Sequence, residues 1–341
     1  MHFLVTGHTG FKGSWLTLML TAGGHTVSGY SLDPEPGSLF ERVGVPAFLN
    51  SDIRGDIRDF DFLASAFAGI RPDAVFHLAA QPLVRESYAS PRLTVETNVI
   101  GTMNVIDAAR GVDSVAGMVV VTTDKVYRNV NQVAGYVEGD SLGGHDPYSA
   151  SKAMADILTQ SWISSFPGFP ISIARAGNVI GGGDFCKDRL VPDLMAGFAS
   201  GSVVPLRYPA AVRPWQHVLD CLNGYTLLMD RTLAGSLPFV DWNFGPGPES
   251  FKTVEQIADL AASLWGADAQ WKDVSGGHPH EAGLLALDAT RARTELGWGD
   301  KLDFSTAVKW TVDWYQKATA GENPLTLTQK QISDFQDLET T

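Results

Sequence analysis

Tyr148 and Lys152 stand four residues apart in the run Tyr148-Ser149-Ala150-Ser151-Lys152, at the head of a helical pattern. That spacing is one turn of helix, so both side chains lie on one face. An ammonium beside a phenol favours the phenolate and draws its pKa from about 10 toward neutrality, which makes Tyr148 a usable general base. Thr123 ends an earlier apolar run and offers a hydroxyl to the same site, and Asp124 and Lys125 follow it directly. Together these groups can move protons to and from a substrate rich in hydroxyls. A Tyr and a Lys at this spacing arise easily by chance, so their placement relative to the other elements decides.

The first apolar run, His2–Thr6, enters Gly7-His8-Thr9-Gly10-Phe11-Lys12-Gly13 at once, and a helical pattern follows. One glycine permits the tight turn, one lets backbone approach a pyrophosphate, and one allows close helix–strand packing, while the helix N-terminus supplies N–H groups and positive potential. The spacing departs by one residue from G-x-G-x-x-G, but its place between a strand and a helix predicts a dinucleotide site at Gly7, Thr9, Gly10, Phe11, Lys12 and Gly13. Asp33 ends the second strand, where a carboxylate bonds ribose hydroxyls and favours NAD over NADP. Asp56 and Ile57 follow a third strand and are expected at the adenine. Leu78, Ala79 and Ala80 end the fourth strand and Thr122 the fifth, at the same sheet edge.

Two kinds of element must hold these residues. Short β-branched runs at His2–Thr6, His25–Ser31, Ala74–Leu78, Met118–Thr122 and Ile171–Arg175 alternate with helical patterns such as Gly13–Ala22 and Pro91–Arg110. The rhythm predicts an α/β fold, a Rossmann-type doubly wound parallel sheet covered by helices on both faces. Beyond Arg175, prolines at 192, 205, 209 and 214 break it, so a smaller, mixed α/β substrate-binding lobe is expected. The predicted division is residues 1–175, with returning segments around 215–245, for the nucleotide domain, and 176–214 with 246–320 for the lobe. Thr253–Trp265 and Ser305–Gln316 look like amphipathic helices, and 321–341 reads as a polar tail that packs loosely.

The 341 residues suffice for a large core plus a lobe. Apolar residues make up 44% and charged residues 18%, which suits a globular chain. With 25 Lys+Arg against 38 Asp+Glu the net charge is -13, which repels nucleic acid and anionic membranes but not a nucleotide held by local arginines. Two cysteines, Cys186 and Cys221, are too few to staple this fold, no run is long and apolar enough to span a bilayer, and the N-terminal run is unlike a signal peptide. The expectation is a cytoplasmic protein with no membrane, nucleic-acid or metal partner.

The glycine motif, His77–Ala80, Asn98-Val99 before Gly101-Thr102, and Tyr148 with Lys152 together resemble the extended short-chain dehydrogenase/reductase family over nearly the whole chain. The resemblance implies NAD as cofactor, Tyr148 as base toward a sugar hydroxyl, Lys152 holding the tyrosine and the nicotinamide ribose, and Thr123 bonding the same hydroxyl. Asn98, counted with the cofactor residues, is implied to be structural, shaping the nearby strand or helix rather than doing chemistry. Asp124-Lys125 after Thr123 resembles nucleotide-sugar 4,6-dehydratases rather than epimerases, and implies Asp124 as acid at O6 and Lys125 as base at C5. Those roles need a protonated Asp124 and a neutral Lys125; burial is expected to shift both that way, with Lys152 and the nicotinamide further depressing Lys125.

Lys125 itself, Gly10–Trp15, Gly143–Tyr148, Ala174–Asp184, Asp188–Asp193 and Arg213–Val218 resemble the branch that acts on CDP-glucose. Asn178 and Arg189 lie just past the sheet where the lobe begins, and Arg213 offers a bidentate fork to a phosphate, so these are expected at the substrate. Gln81 and Gln216 are counted with them, although docking of the lobes is the stronger alternative for Trp215-Gln216-His217, and His280 and Glu281 resemble a family element near the nucleotide. The branch implies deoxysugar biosynthesis for lipopolysaccharide O-antigen as the setting. It also implies a homodimer, or a tetramer built on it, joined through Pro91–Arg110 and Tyr148–Ser165. The segment Arg128–Ala134 and Phe185 depart from the branch pattern near the expected substrate, leaving another nucleotide sugar open. A 4-epimerase and a non-catalytic NAD-binding regulator are the alternatives. Asp124-Lys125 argues against the first and the complete proton-transfer set against the second.

Overall fold

The computed structural model describes residues 1–132, 134–186, 189–237, 240–275 and 285–338. Six strands lead the chain: β1 (His2–Thr6), β2 (Thr26–Ser31), β3 (Ser51–Arg54), β4 (Ala74–His77), β5 (Gly117–Val121) and β6 (Ile171–Ala176). A seventh, Asp241–Phe244, returns to pair with β6. All are parallel, in the order β3, β2, β1, β4, β5, β6 and the seventh. The direction of winding reverses between β1 and β4, and in such sheets the crevice at that switch point, outside the carboxyl ends of the strands, is where ligands bind.

Side chains alternate across each strand and both faces are buried. Phe3 and Val5 of β1 and Val119 and Val121 of β5 join one core with Trp15, Leu222 and Trp242. Leu4, Met118 and Val120 join the other with Leu63, Phe67 and Val105. This is the two-sided burial that a parallel sheet requires.

The helices start where local chemistry dictates. Asp146 accepts from Ser149 N at 2.9 Å and Pro147 occupies the first turn, so the Pro147–Ser165 helix begins one residue before Tyr148. Thr253 and Gln256 form a reciprocal capping box at the head of Val254–Trp265. The continuous pattern expected over Pro91–Arg110 is interrupted by a wide turn at Glu96–Ile100.

The loosely packed tail is not observed. Asn323 caps a helix over Pro324–Gln336, whose Leu327, Ile332 and Phe335 are buried in the main core. Those three apolar side chains fall on one helical face, and the polar residues between them masked the pattern. No helix among the described residues is long and apolar enough to cross a membrane.

Candidate active site

Gly7 ends β1 with φ 76°, a left-handed conformation, and a Cβ there would lie 2.7 Å from Ala79 N. At Gly13 a Cβ would meet Gly7 O at 2.2 Å, so this glycine seats the helix against the turn. Around Gly10 the protein leaves room, with Gly7 O at 3.3 Å as the one near neighbour. The Phe11–Ala22 helix then starts with no side-chain cap and no acid in its first turn. A cramped back wall, an open front and an uncapped helix N-terminus fit a pyrophosphate.

Other predicted cofactor residues fall around this crevice with differing roles. Asp33 lies two residues past β2, its carboxylate 3.7 Å from Arg54 Nε and its side chain 88% exposed, which leaves it accessible to ribose hydroxyls. Thr9 locks the turn to β2 through Ser31 Oγ at 2.8 Å and Leu32 O at 3.2 Å. Asp56 is ion-paired to Arg58 at 2.6 Å, and Ile57 is buried with its carbonyl accepting from Asn104 at 2.9 Å. Leu78 N bonds Thr6 O and Ala79 N bonds Thr6 Oγ1, which draws the end of β4 against the glycine turn. Phe11 is half-buried against the core.

Two of the cofactor candidates have side chains committed within the protein. Asn98 is buried, with its amide bonded to Gln81 N at 2.8 Å, Gln81 O at 3.1 Å and Ser151 Oγ at 2.8 Å, so it ties the loop after β4 to the catalytic helix, in keeping with the structural role expected of it. Thr122 turns its hydroxyl inward to Asp156 Oδ2 at 3.1 Å.

The catalytic candidates converge at the carboxyl end of β5. Thr123, Asp124 and Lys125 enter one short 3-10 turn, Asp124–Val126, which Thr123 caps. Thr123 Oγ1 shares a 2.8 Å hydrogen bond with Asp124 Oδ1, and Lys125 Nζ reaches the same oxygen at 3.1 Å. The Asp124 side chain is 3% exposed and lies against Gly177, where a Cβ would stand 3.2 Å from Oδ2; Lys125 is 31% exposed.

Tyr148 is buried, with the Thr123 side chain beside it. Burial pushes its phenol above the ordinary value, opposed by the Lys125 ammonium and the Thr123 hydroxyl. Lys152, one turn on, is buried and donates to Val121 O at 2.9 Å. Burial draws its ammonium down to about 8, against the pull of Asp156, with Lys12 adding to the fall.

The first cation opposing the rise of the Tyr148 phenol is Lys125, with Arg189 behind it. The expected depression of Lys125 is absent. Burial lowers it, but the Asp124 and Tyr148 charges outweigh burial and hold it above the ordinary lysine value.

The substrate-binding expectations divide. Arg189 donates to Asp184 Oδ2 at 2.9 Å and feels the Tyr148 charge, so it borders the catalytic phenol. Arg213, on a short strand paired with Phe251–Thr253, lies close enough to Lys125 to oppose its protonation. Asn178 is half-buried two residues beyond β6. The Gln81 amide is engaged at both ends, whereas Gln216 Oε1 is buried with no hydrogen-bond partner among the described residues. The Gln81 side chain bonds Leu83 of its own loop and Thr94 on the Pro91–Val95 helix. Gln216, 3% exposed, donates to Asp300 Oδ1 at 2.7 Å and docks the lobe, as do buried Trp215 and His217 beside it. His280 and Glu281 lie outside the described residues, as does Asp188.

One buried group escaped the sequence reading. Arg175 of β6 holds Asp156 through Nε at 2.8 Å and Nη2 at 2.7 Å, with both side chains fully buried, and also meets Asp241 at 3.0 Å. Asp156 follows Lys152 by one helical turn, which was the available signal.

Comparison with known proteins gives the same picture. The family described as GDP-mannose 4,6 dehydratase matches residues 4–311. The CDP-glucose 4,6-dehydratase of Salmonella typhimurium is 44% identical, with 98% of this chain and 96% of that protein covered. A dTDP-glucose 4,6-dehydratase structure from Streptomyces venezuelae with NAD bound superposes with a TM-score of 0.80 at 27% identity, covering 95% of this chain and 100% of that one. A UDP-glucose 4-epimerase from Thermus thermophilus in complex with NAD also gives 0.80, at 25% identity, covering 93% and 100%. The fold is thus shared by dehydratases and epimerases, and the residues after Thr123 must distinguish them.

Proposed function

Because this chain belongs to the family described as GDP-mannose 4,6 dehydratase, we propose that it is a nucleotide-sugar 4,6-dehydratase that converts CDP-glucose to CDP-4-keto-6-deoxyglucose with tightly held NAD. The observation that carries the reading is the Asp124–Lys125 pair, buried at its acid end and hydrogen-bonded to the hydroxyl of Thr123. When bound, NAD supplies the acceptor for hydride from C4 and the donor that returns it to C6. The glycine turn, the Phe11–Ala22 helix N-terminus and Asp33 would hold it.

Tyr148 takes the proton from the C4 hydroxyl, and Thr123 orients that hydroxyl. A ketone at C4 acidifies C5–H, and loss of water across C5–C6 then needs a base at C5 and an acid at O6. The resting pair presents the opposite charges, an ammonium and a carboxylate 3.1 Å apart. Moving one proton along the Lys125 Nζ to Asp124 Oδ1 bond converts them into a neutral amine and a carboxylic acid without changing the net charge of the site. In that form Lys125 removes the C5 proton and Asp124 protonates the departing hydroxyl. Because the proton passes within the pair, what matters is the free energy of this internal transfer.

Support for the cytidine nucleotide comes from the 44% identity to the Salmonella enzyme. Phe185 is engaged from outside the site by the Arg42 guanidinium, 4.4 Å from its ring centre. The test is incubation with CDP-glucose and, in parallel, UDP-, dTDP- and GDP-glucose, reading the alkali-dependent absorbance of a 4-keto-6-deoxy sugar. Turnover of CDP-glucose alone supports the reading; a 4-epimer with no dehydrated product overturns it.

The same reading includes a homodimer. Leu93 and Ile100 lie exposed on the helical stretch from Pro91, and Met154 and Ile157 on the neighbouring Pro147–Ser165 helix, an apolar face that a second copy would cover. A cytoplasmic enzyme of deoxysugar biosynthesis is the setting that fits this substrate.

A further inference from the structure

Arg54 is the last residue of β3, and the parallel pairing of β2 with β3 sets it opposite Ser31, two residues before Asp33. Four groups surround its guanidinium. Nη2 donates to Asp52 Oδ2 at 2.8 Å, and Nη1 lies 3.2 Å from His8 Nε2 in the glycine turn. The buried ring of Phe40 has its centre 4.9 Å from Cζ, and Nε stands 3.7 Å from Asp33 Oδ1. Asp52, His8 and Phe40 thus hold the guanidinium without help from Asp33, while 30% of the Arg54 side chain remains exposed.

In dinucleotide folds an acid at the end of the second strand bonds the adenosine ribose hydroxyls, and an arginine nearby accommodates a 2′-phosphate. This chain carries both, in contact with each other. We propose that Arg54 is a specificity-determining residue at the adenosine end: its guanidinium is a preformed seat for a ribose 2′-phosphate, and the Asp33 carboxylate, by facing that seat, keeps the site on NAD.

The local charges give the direction. Asp33, Asp52 and Arg54 together carry one net negative charge, which repels a phosphate. Without the Asp33 carboxylate the remaining pair is neutral, and the N–H edge of the guanidinium turned toward Asp33 is released to make charge-assisted bonds to phosphate oxygens. Neighbouring arginines are committed elsewhere. Arg58 pairs with Asp56 at 2.6 Å, and Arg42 donates to Gly37 O at 2.6 Å with its guanidinium 4.4 Å from the centre of the Phe185 ring.

This inference rests on the NAD-dependent dehydratase reading, and NAD binding by the wild type separates their failures. The full chain, freed of bound nucleotide, would be titrated with NAD and NADP by calorimetry at two salt concentrations. The variants are Asp33→Ser alone and Asp33→Ser combined with Arg54→Met or Arg54→Lys. Wild type favours NAD. Asp33→Ser, at an exposed position, moves the affinity ratio toward NADP by about a hundredfold, and its NADP binding weakens as salt rises. Adding Arg54→Met takes back about tenfold or more of that change, whereas Arg54→Lys takes back less, because an ammonium still pairs with phosphate but lacks the planar fork. Should the Arg54→Met combination fail to fold, the ratio in Asp33→Ser with Arg54→Lys decides, an intermediate value being expected. A ratio unmoved by Asp33→Ser, or moved equally whichever residue stands at 54, overturns the inference, and the dehydratase reading survives if the wild type still binds NAD and turns over CDP-glucose. A wild type with no affinity for NAD overturns both.

Discussion

Lys125 Nζ and Asp124 Oδ1 stand 3.1 Å apart on consecutive residues, and Thr123 Oγ1 shares that same carboxylate oxygen at 2.8 Å. The hydroxyl that would orient C4, the acid for O6 and the base for C5 are therefore one hydrogen-bonded unit.

Asp124→Asn removes the acid but leaves a similar shape. Dehydration is expected to fall by about a hundredfold or more, while formation of reduced nicotinamide in a single turnover persists. Lys125→Met should abolish incorporation of solvent deuterium at C5. Undiminished product formation by Asp124→Asn would remove the assigned role.

The Tyr148 phenol is raised by burial, and Lys125 is the first group opposing that rise. Replacing Lys125 by Met should move the tyrosinate absorbance transition, taken as the difference from Tyr148→Phe, to higher pH. Adding NAD should move the wild-type transition to lower pH, since the bound nicotinamide brings positive charge. A transition unaffected by either change would contradict the placement of the phenol.

Asp220 is buried beside Asp300, with Oδ1 accepting from Lys301 N at 2.7 Å and Oδ2 without a partner among the described residues. Burial pushes its carboxyl from 3.8 up to about 8. An acid with a raised folded-state pKa ionises first in the unfolded chain, so folding stability falls as pH rises from about 4 to about 8 and levels off above. Asp220→Asn should flatten part of that decline, read as a smaller drop in melting temperature between mildly acid and mildly alkaline buffer. Parallel wild-type and variant curves would show that Asp220 does not stay protonated.

Ile157 is 53% exposed on the proposed dimer face. Ile157→Asp places a charge where two copies would bury an apolar patch, and sedimentation should show the mass falling to that of one chain at micromolar concentration. A wild type that already sediments as one chain would refute the dimer.

Much of this site was legible because its signals are local. The glycine turn sits between a strand and a helix, and Tyr148 and Lys152 are one turn apart, so sequence neighbours alone placed them. What failed depended on distant partners. Gln216 could not be seen to meet Asp300 from 84 residues away, and Arg175 in an apolar strand gave no hint of the carboxylates at 156 and 241. The Lys125 shift was misjudged because burial was weighed without the adjacent carboxylate. The Pro324–Gln336 helix was missed because its apolar residues are sparse, although they lie on one face.

The single turn that holds Thr123, Asp124 and Lys125 has a consequence for descent. Substitution at two adjoining codons could exchange elimination for inversion while the sheet and the nucleotide cradle go on unaltered. A lineage built this way can change its chemistry without rebuilding its scaffold, and can retune its choice of sugar separately, through the lobe.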